Sequence, residues 1–535
     1  MKMGRYLFVN GRIYTGSDTA PFAEALGVIG RRVFCCTTEE EARALCDSFE
    51  VVDLKGKTLV PGFNDSHVHL YRLALQLGRT SLKGCVDLKD VASKVEDVAM
   101  SSSPGEWISC TDLPARLISN GSAEVAAVME EVSAYNPVVM CNSTSDLLWA
   151  NQLALESVEF SALDAQFVKL GAELNSDGKY TGIFRDAAAR AVQKIVPELK
   201  GNELVKAFEN TMSKLNELGI VAVHDMDAAK SFSVLARLKR TGKLTVRAMG
   251  SVGQASFRSF AGLGMFSGFG DEWLKIGPLV MCADGDLTSR CAHLLRPYEN
   301  DPYNCGRVVM AKEGIQEAVT SAVKAGMSCS VRAVGDRANR DVLDVFESVF
   351  ETSRAKGLRH RVECVQLLHP DDLKRFGELD VTASMQPVHI TEDMSFAERN
   401  LGKRSRWSYP LKSILYKGGR LAFGSDSDFS LMDPLKGMFA SVTRKDFDGV
   451  PDTGWYCEER ISICEAMKAY TSAPAWLAFD EENRGTLEAG KLADLVILSE
   501  DIFDAPSPQL LRTKVEATMV DGKFVYIRKG SEVFR

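Results

Sequence analysis

The chain has 535 residues, 45% hydrophobic and 25% charged, with a formal charge of -8 and a pI near 5.6. That length exceeds one ordinary hydrophobic core and predicts a large barrel domain with a smaller companion, or three domains. The acidic balance argues against nucleic acid or an anionic membrane surface as the main partner, and the sequence holds no apolar run of about 18 residues such as a membrane span requires.

The first sixty residues alternate short apolar runs with turns. "YLFVNGRIYTG" (6–16) reads as two strands around Asn10-Gly11, a strong hairpin signal. "ALGVIGRRVFCC" (25–36) repeats the pattern with a turn at Gly30-Arg31, and "EVVDLKGKTLVPGF" (50–63) adds more strand. The start has no continuous apolar segment of signal-peptide length. Thirteen cysteines lie scattered from Cys35 to Cys464, odd in number and without a CxxC pair. That usage fits reduced thiols and a cytoplasmic protein.

From about residue 59 to 483, short β-rich runs alternate with longer amphipathic segments. The runs are "NPVVMCNST", "GIVAVHDMD", "VRAMGSV", "LKIGPLVMCADG", "SCSVRAVGD", "HRVECVQLL", "VTASMQP" and "RLAFGSDSD". Between them, stretches such as "GNELVKAFENTMSKLNEL" repeat apolar residues at three- and four-residue steps. Strand–helix alternation of this length argues for a parallel sheet. Eight such units make a (β/α)8 TIM barrel, whose site lies at the C-terminal ends of its strands. The polar endings "HVH", "HDMD", "ADGD", "GDRA" and "GSDSD" fall there. Strand pattern returns in "KLADLVILSED" and "ATMVDGKFVYIR". Neither end alone has enough strands to bury a face. The expected α/β architecture is therefore a barrel over 59–483 and one small composite β-sandwich made of 1–58 and 484–535.

"PGFNDSHVHL" (61–70) carries the clearest chemistry. Strand side chains repeat every two residues, so His67 and His69 point to the same side. Paired neutral imidazoles suit Zn or Fe. The plainer alternative is a polar strand end with two solvated histidines.

"LVPGFNDSHVHL", "GIVAVHDMD", "LKIGPLVMCADGDLTSR", "AVGDRANRDVLDVFE", "VQLLHPDDLKRF", "ASMQP", "FGSDSDFSLMDPL" and "GTLEAGKLADLVIL" follow one another in this order. In that order they resemble the landmarks of the amidohydrolase superfamily, in the amidohydrolase-3 branch that includes N-substituted formamide deformylases. The resemblance covers nearly the whole chain. It implies a barrel with a composite sandwich, one or two divalent metals, and a strand-8 Asp that takes a proton as hydroxide attacks a carbonyl carbon. The implied ligands are the HxH, a carboxylated Lys, two further His and that Asp.

Carried onto this chain, His67, His69 and Asp426 are present. The Lys position aligns with Val280, and the two middle His positions with Arg332 and Cys364. A further His position, before the Trp of the third strand, is Asp146. Val cannot carry a carbamate, and Arg has a fixed charge and no lone pair for a metal. Only Cys364 could still ligate, as a thiolate. The expectation is at most one divalent metal, Zn or Fe, on His67, His69 and Asp426, with Cys364 as a fourth candidate. Equally open is a metal-free site in which Arg332 bridges to Asp426 or to a bound anion.

Asp426 and Arg332 are the catalytic candidates. His224, Asp284 and His389 are the substrate-binding candidates, against loop capping or a surface position as the plainer alternatives. His293, His360 and His369 are expected on helix or loop surfaces. The implied activity is metal-dependent hydrolysis of a non-peptide carbon–nitrogen bond in a small molecule. The alternative is a catalytically silent barrel that binds a small molecule or a protein. A homodimer fits the habit of such barrels.

Overall fold

The computed structural model describes residues 4–118, 125, 131–142, 147–156, 168–194, 196–426, 431–504 and 507–534. The chain divides into two compact units, one of residues 1–73 and 211–535, the other of residues 74–210. Among the described residues no helix is long and apolar enough to cross a membrane.

The first unit contains eight parallel strands in sequential order. They are β1 (Phe63–Val68), β2 (Ile220–Asp225), β3 (Arg247–Gly253) and β4 (Leu274–Cys282), then β5 (Cys329–Ala333), β6 (Arg361–Cys364), β7 (Thr382–Met385) and β8 (Arg420–Phe423). Their near-continuous apolar runs are what strands covered on both faces need. Every residue of β1 and β2 is buried. Past the end of β8 the sheet returns to β1. The Asp426 N–H donates to the His67 carbonyl at 2.9 Å, and the Ser425 N–H donates to Asp65 Oδ1 at 3.1 Å. A Cβ on Gly424 would lie 2.5 Å from the His67 nitrogen, so this seam requires glycine.

The two chain ends build two further sheets of the same unit. One is four-stranded, ordered Arg32–Thr37, Ala25–Ile29, Arg5–Val9, Glu50–Asp53. The other is six-stranded and interleaves both ends: Lys523–Ile527, Val515–Val520, Leu495–Leu498, Thr58–Pro61, Arg12–Tyr14, Phe22–Ala23. Thr58–Pro61 runs antiparallel to Leu495–Leu498, with Val60 opposite Val496. Phe8, Ile13, Leu26, Leu59, Leu495 and Met519 share one core there. At the start of β3, buried Arg247 grips Asp494 through Nε (2.7 Å) and Nη2 (3.0 Å) and reaches Asp521 at 3.2 Å.

The second unit has its own six-stranded sheet, ordered Ala172–Leu174, Tyr180–Arg185, Leu147–Ala150, Val138–Cys141, Ile108–Thr111, Thr80–Ser81. Its core includes Val91, Val95, Ile108, Met140, Trp149 and Ile183. This corrects one expectation. "NPVVMCNST" does form a strand, but outside the barrel: Val138–Cys141 runs parallel to Ile108–Thr111 and antiparallel to Leu147–Ala150. A buried apolar run announces a strand and says nothing of its neighbours.

Candidate metal centre

Alternation along β1 and just past it turns both imidazoles to one side, and Asp426 meets them from the end of β8. Asp426 Oδ1 lies 3.4 Å from His67 Nε2 and 3.5 Å from His69 Nε2. One donor atom from each of the three residues lies within 4.8 Å of the others. Asp426 has a left-handed backbone, φ 58°, which Asp tolerates better than most side chains.

The other ring nitrogens are occupied. His67 Nδ1 is hydrogen-bonded to Glu363 Oε2 at 2.7 Å, and His69 Nδ1 to Asp227 Oδ1 at 2.9 Å. A carboxylate on Nδ1 fixes that nitrogen as the N–H and leaves the Nε2 lone pair free for a metal. Glu363 is itself held. Ser330 Oγ donates to Oε1 at 2.6 Å, and Arg361 Nε pairs with it at 2.7 Å. Arg361, fully buried, also donates through Nη1 to the Ser66 carbonyl (3.2 Å) and to His224 Nδ1 (2.8 Å).

The charges follow from this stacking. Burial opposes ionisation of Glu363, but Arg361 and His67 outweigh it and pull its pKa down to about 2. Burial likewise opposes a charged His67, and Glu363 with Asp426 overcomes it, pushing the imidazole up to about 10, so that a metal ion at Nε2 would have to displace a proton. Burial would raise Asp426; its bonds to the two imidazoles hold it well below the usual carboxylate range.

Other expected residues fall differently. Cys364 is buried and lies outside the three-donor cluster. Burial pushes its thiol well up, against the pull of Arg332. Arg332 does not pair with Asp426. Its Nη2 bonds Asp286, and its Nη1 donates to the Asp284 carbonyl at 3.1 Å. The nearest carboxylate in reach comes from the loop after β4, so the expected bridge to Asp426 is replaced by one to Asp286. Asp284 receives the N–H groups of Val334 (2.9 Å), Gly335 (2.8 Å) and His293 (2.8 Å), so it orders loops. His224 is fully buried under Arg361, and burial with that neighbouring charge holds its pKa well down. Asp284 is thus occupied by backbone, and His224 keeps an unpartnered Nε2 that is wholly buried. His389, half-buried in the turn Pro387–His389, lies close enough to Asp426 to lower its pKa. Asp146 lies outside the described residues.

His360 corrects another expectation. It is buried, accepts the Cys329 N–H on Nδ1 at 3.0 Å, bonds Ser353 Oγ through Nε2 at 2.8 Å and stacks on Phe346. His293 and His369 are partly exposed. Reading the sequence missed Glu363, Asp227 and Arg361. Glu363 directly precedes Cys364 in "RVECVQ" and Asp227 closes "HDMD", so both stood at strand ends already singled out, but nothing local marked them as partners of the two imidazoles.

A parallel eight-stranded barrel gathers a strand-1 imidazole pair and a strand-8 carboxylate at one mouth, where they could hold a metal ion. The profile of the Amidohydrolase family, type 3, matches residues 50–526, and the chain belongs to that family. It is 30% identical to Protein LONG AFTER FAR-RED 3 of Arabidopsis thaliana, over 97% of this chain and 91% of that one. It is 26% identical to N-substituted formamide deformylase of Arthrobacter pascens, over 99% of this chain and 100% of that one. An uncharacterized metal-dependent hydrolase from Pyrococcus horikoshii OT3 superposes with a TM-score of 0.74 at 25% identity, covering 94% of this chain and 99% of that one.

Proposed function

We propose that the protein hydrolyses an amide-type carbon–nitrogen bond, other than a peptide bond, in a small molecule, with a single divalent metal ion. The observation that carries this reading is the pair of imidazoles with carboxylate-occupied Nδ1 atoms and Nε2 atoms facing Asp426. Three such donors suit a catalytic ion, which needs an open position beside its protein ligands. His67 Nε2, His69 Nε2 and Asp426 Oδ1 would hold it, and imidazole with carboxylate suits Zn or Fe. When bound, the ion supplies Lewis acidity, lowering the pKa of water and polarising a carbonyl.

The chain's own groups do the rest. Asp426 takes the proton of the attacking water on its carboxylate and delivers it to the departing amine nitrogen. Glu363 and Asp227 keep the two rings in one tautomer and orientation. Val280, Arg332 and Cys364 supply neither a carbamate nor imidazoles, which sets the ceiling at one ion. The carbon–nitrogen bond is argued from full-length similarity to an N-substituted formamide deformylase.

The test is elemental analysis of protein purified without chelator, together with assay of N-substituted formamides for formate release. One equivalent of metal or less is expected, with both metal and activity lost in His67→Ala. Two tightly bound equivalents would overturn the single-ion reading. Absence of metal with undiminished activity in His67→Ala would overturn metal dependence. A second reading, a silent barrel that binds without turnover, is favoured by the replacement of three ligand positions; it predicts no formate release even with metal loaded.

A further inference from the structure

Arg332 stands where the resemblance places a metal-binding imidazole, and its surroundings give it a different task. Ser330 lies two residues earlier on β5, hence on the same face. Its Oγ bonds Glu363, which bonds His67. Arg332 therefore faces the barrel interior one pleat nearer the mouth than the base of the metal centre. The register agrees: Arg332 sits opposite Cys282 on β4 and opposite Glu363 on β6. Buried Cys364 lies within electrostatic reach of both Arg332 and Asp426.

The two arginines of this region contrast. Arg361 and its partner Glu363 are each 1% exposed, a fixed internal pair. Arg332 is 24% exposed, and its partner Asp286 is 65% exposed on the loop after β4. A carboxylate that solvated is held weakly and exchanges readily. The neighbouring carboxylates do not compete. Asp284 is filled by three backbone N–H groups, and Asp426 faces two imidazoles. A guanidinium is shaped for two parallel bonds to one carboxylate.

We propose that Arg332 anchors a carboxylate of the substrate, displacing Asp286, so that the amide hydrolysed here carries an anionic group close to its scissile bond. This rests on the reading of the barrel mouth as a hydrolytic site and narrows it to a substrate class. A planar monocation takes the place of a metal ligand, and charge that would have served a second ion serves recognition.

The test is calorimetric binding of N-formylphenylalanine and of its uncharged amide, measured alongside the metal content of each protein sample. Wild type is expected to bind the acid at least about tenfold more tightly than the amide, as one charge-assisted bidentate contact would give. Arg332→Gln should erase that preference. Asp286→Asn should increase affinity for the acid, because it removes the competing carboxylate; a purely structural role for Arg332 predicts no such gain. Equal affinities in wild type, no binding of either compound, or a preference that survives in Arg332→Gln overturns the anchor. Metal bound at His67 with no preference for the acid fails the anchor alone. A preference without any metal fails the single-ion hydrolase alone.

Discussion

An imidazole ligand is only as good as the group that fixes its other nitrogen, and here the two rings are fixed unequally. Glu363 is almost wholly buried and held by Ser330 and Arg361, whereas Asp227 is 16% exposed. Replacing Glu363 by Gln removes the anionic acceptor and lets an amide N–H face Nδ1, which favours the wrong tautomer of His67. Metal affinity should fall about 10–100-fold, read by competition with a chelator of known affinity, while Asp227→Asn should cost less. Unchanged affinity in Glu363→Gln would show that the second carboxylate is ornamental. The convergence of His67 and His69 was legible in the HxH spacing, and the place of Asp426 beside them in the order of the family-like landmarks. Glu363 and Asp227 were not, because a supporting carboxylate is defined by what it touches across the barrel. Arg332 was legible as inward-facing, but its choice of Asp286 over Asp426 depends on a loop conformation that no local pattern fixes.

Among the elements, β6 carries the most. Together with His360 just before it, it supplies a buried histidine, the buried Arg361 and the glutamate behind His67. His360 was expected on a helix or loop surface, yet the turn into β6 carries it inward against Phe346. Burial pushes its pKa down to about 4, below the ordinary value near 6.5. The unfolded chain thus binds a proton that the fold refuses. This contribution to stability is fully present above about pH 6.5 and is lost as pH falls towards 4, about 3 kcal/mol in all. Urea midpoints at pH 7.5 and 4.5 should differ less for His360→Gln than for wild type; equal differences would remove His360 as a source of acid lability. The eight strands of the barrel were largely legible, since apolar runs with polar ends recur in "GIVAVHDMD" and "RLAFGSDSD". Val138–Cys141 shows the limit of that reading, because its antiparallel neighbour Leu147–Ala150 marks a different sheet and only pairing reveals it.

At the scale of the whole chain, both termini meet in one sandwich, an arrangement that the repeated strand pattern at the two ends foretold. Arg247 ties the third barrel strand to that sandwich through Asp494 and Asp521. Asp494→Asn would leave a buried guanidinium with Asp521 as its remaining carboxylate, beside the Glu272 carbonyl, at a cost of about 3 kcal/mol. A lowered urea midpoint is expected, and an unchanged one would show that Asp521 suffices. The pairing of Val60 with Val496 also sets a clock. At about 5–20 residues per second on the ribosome, roughly 20–90 s of synthesis separate these two partners. For that interval one edge of Thr58–Pro61, with Leu59 and Val60 beside it, has no neighbour to close it. An unpaired strand edge is a template for other chains. The nascent protein is therefore most exposed to misassembly before its last strands emerge, and a chain interrupted near its end would remain so.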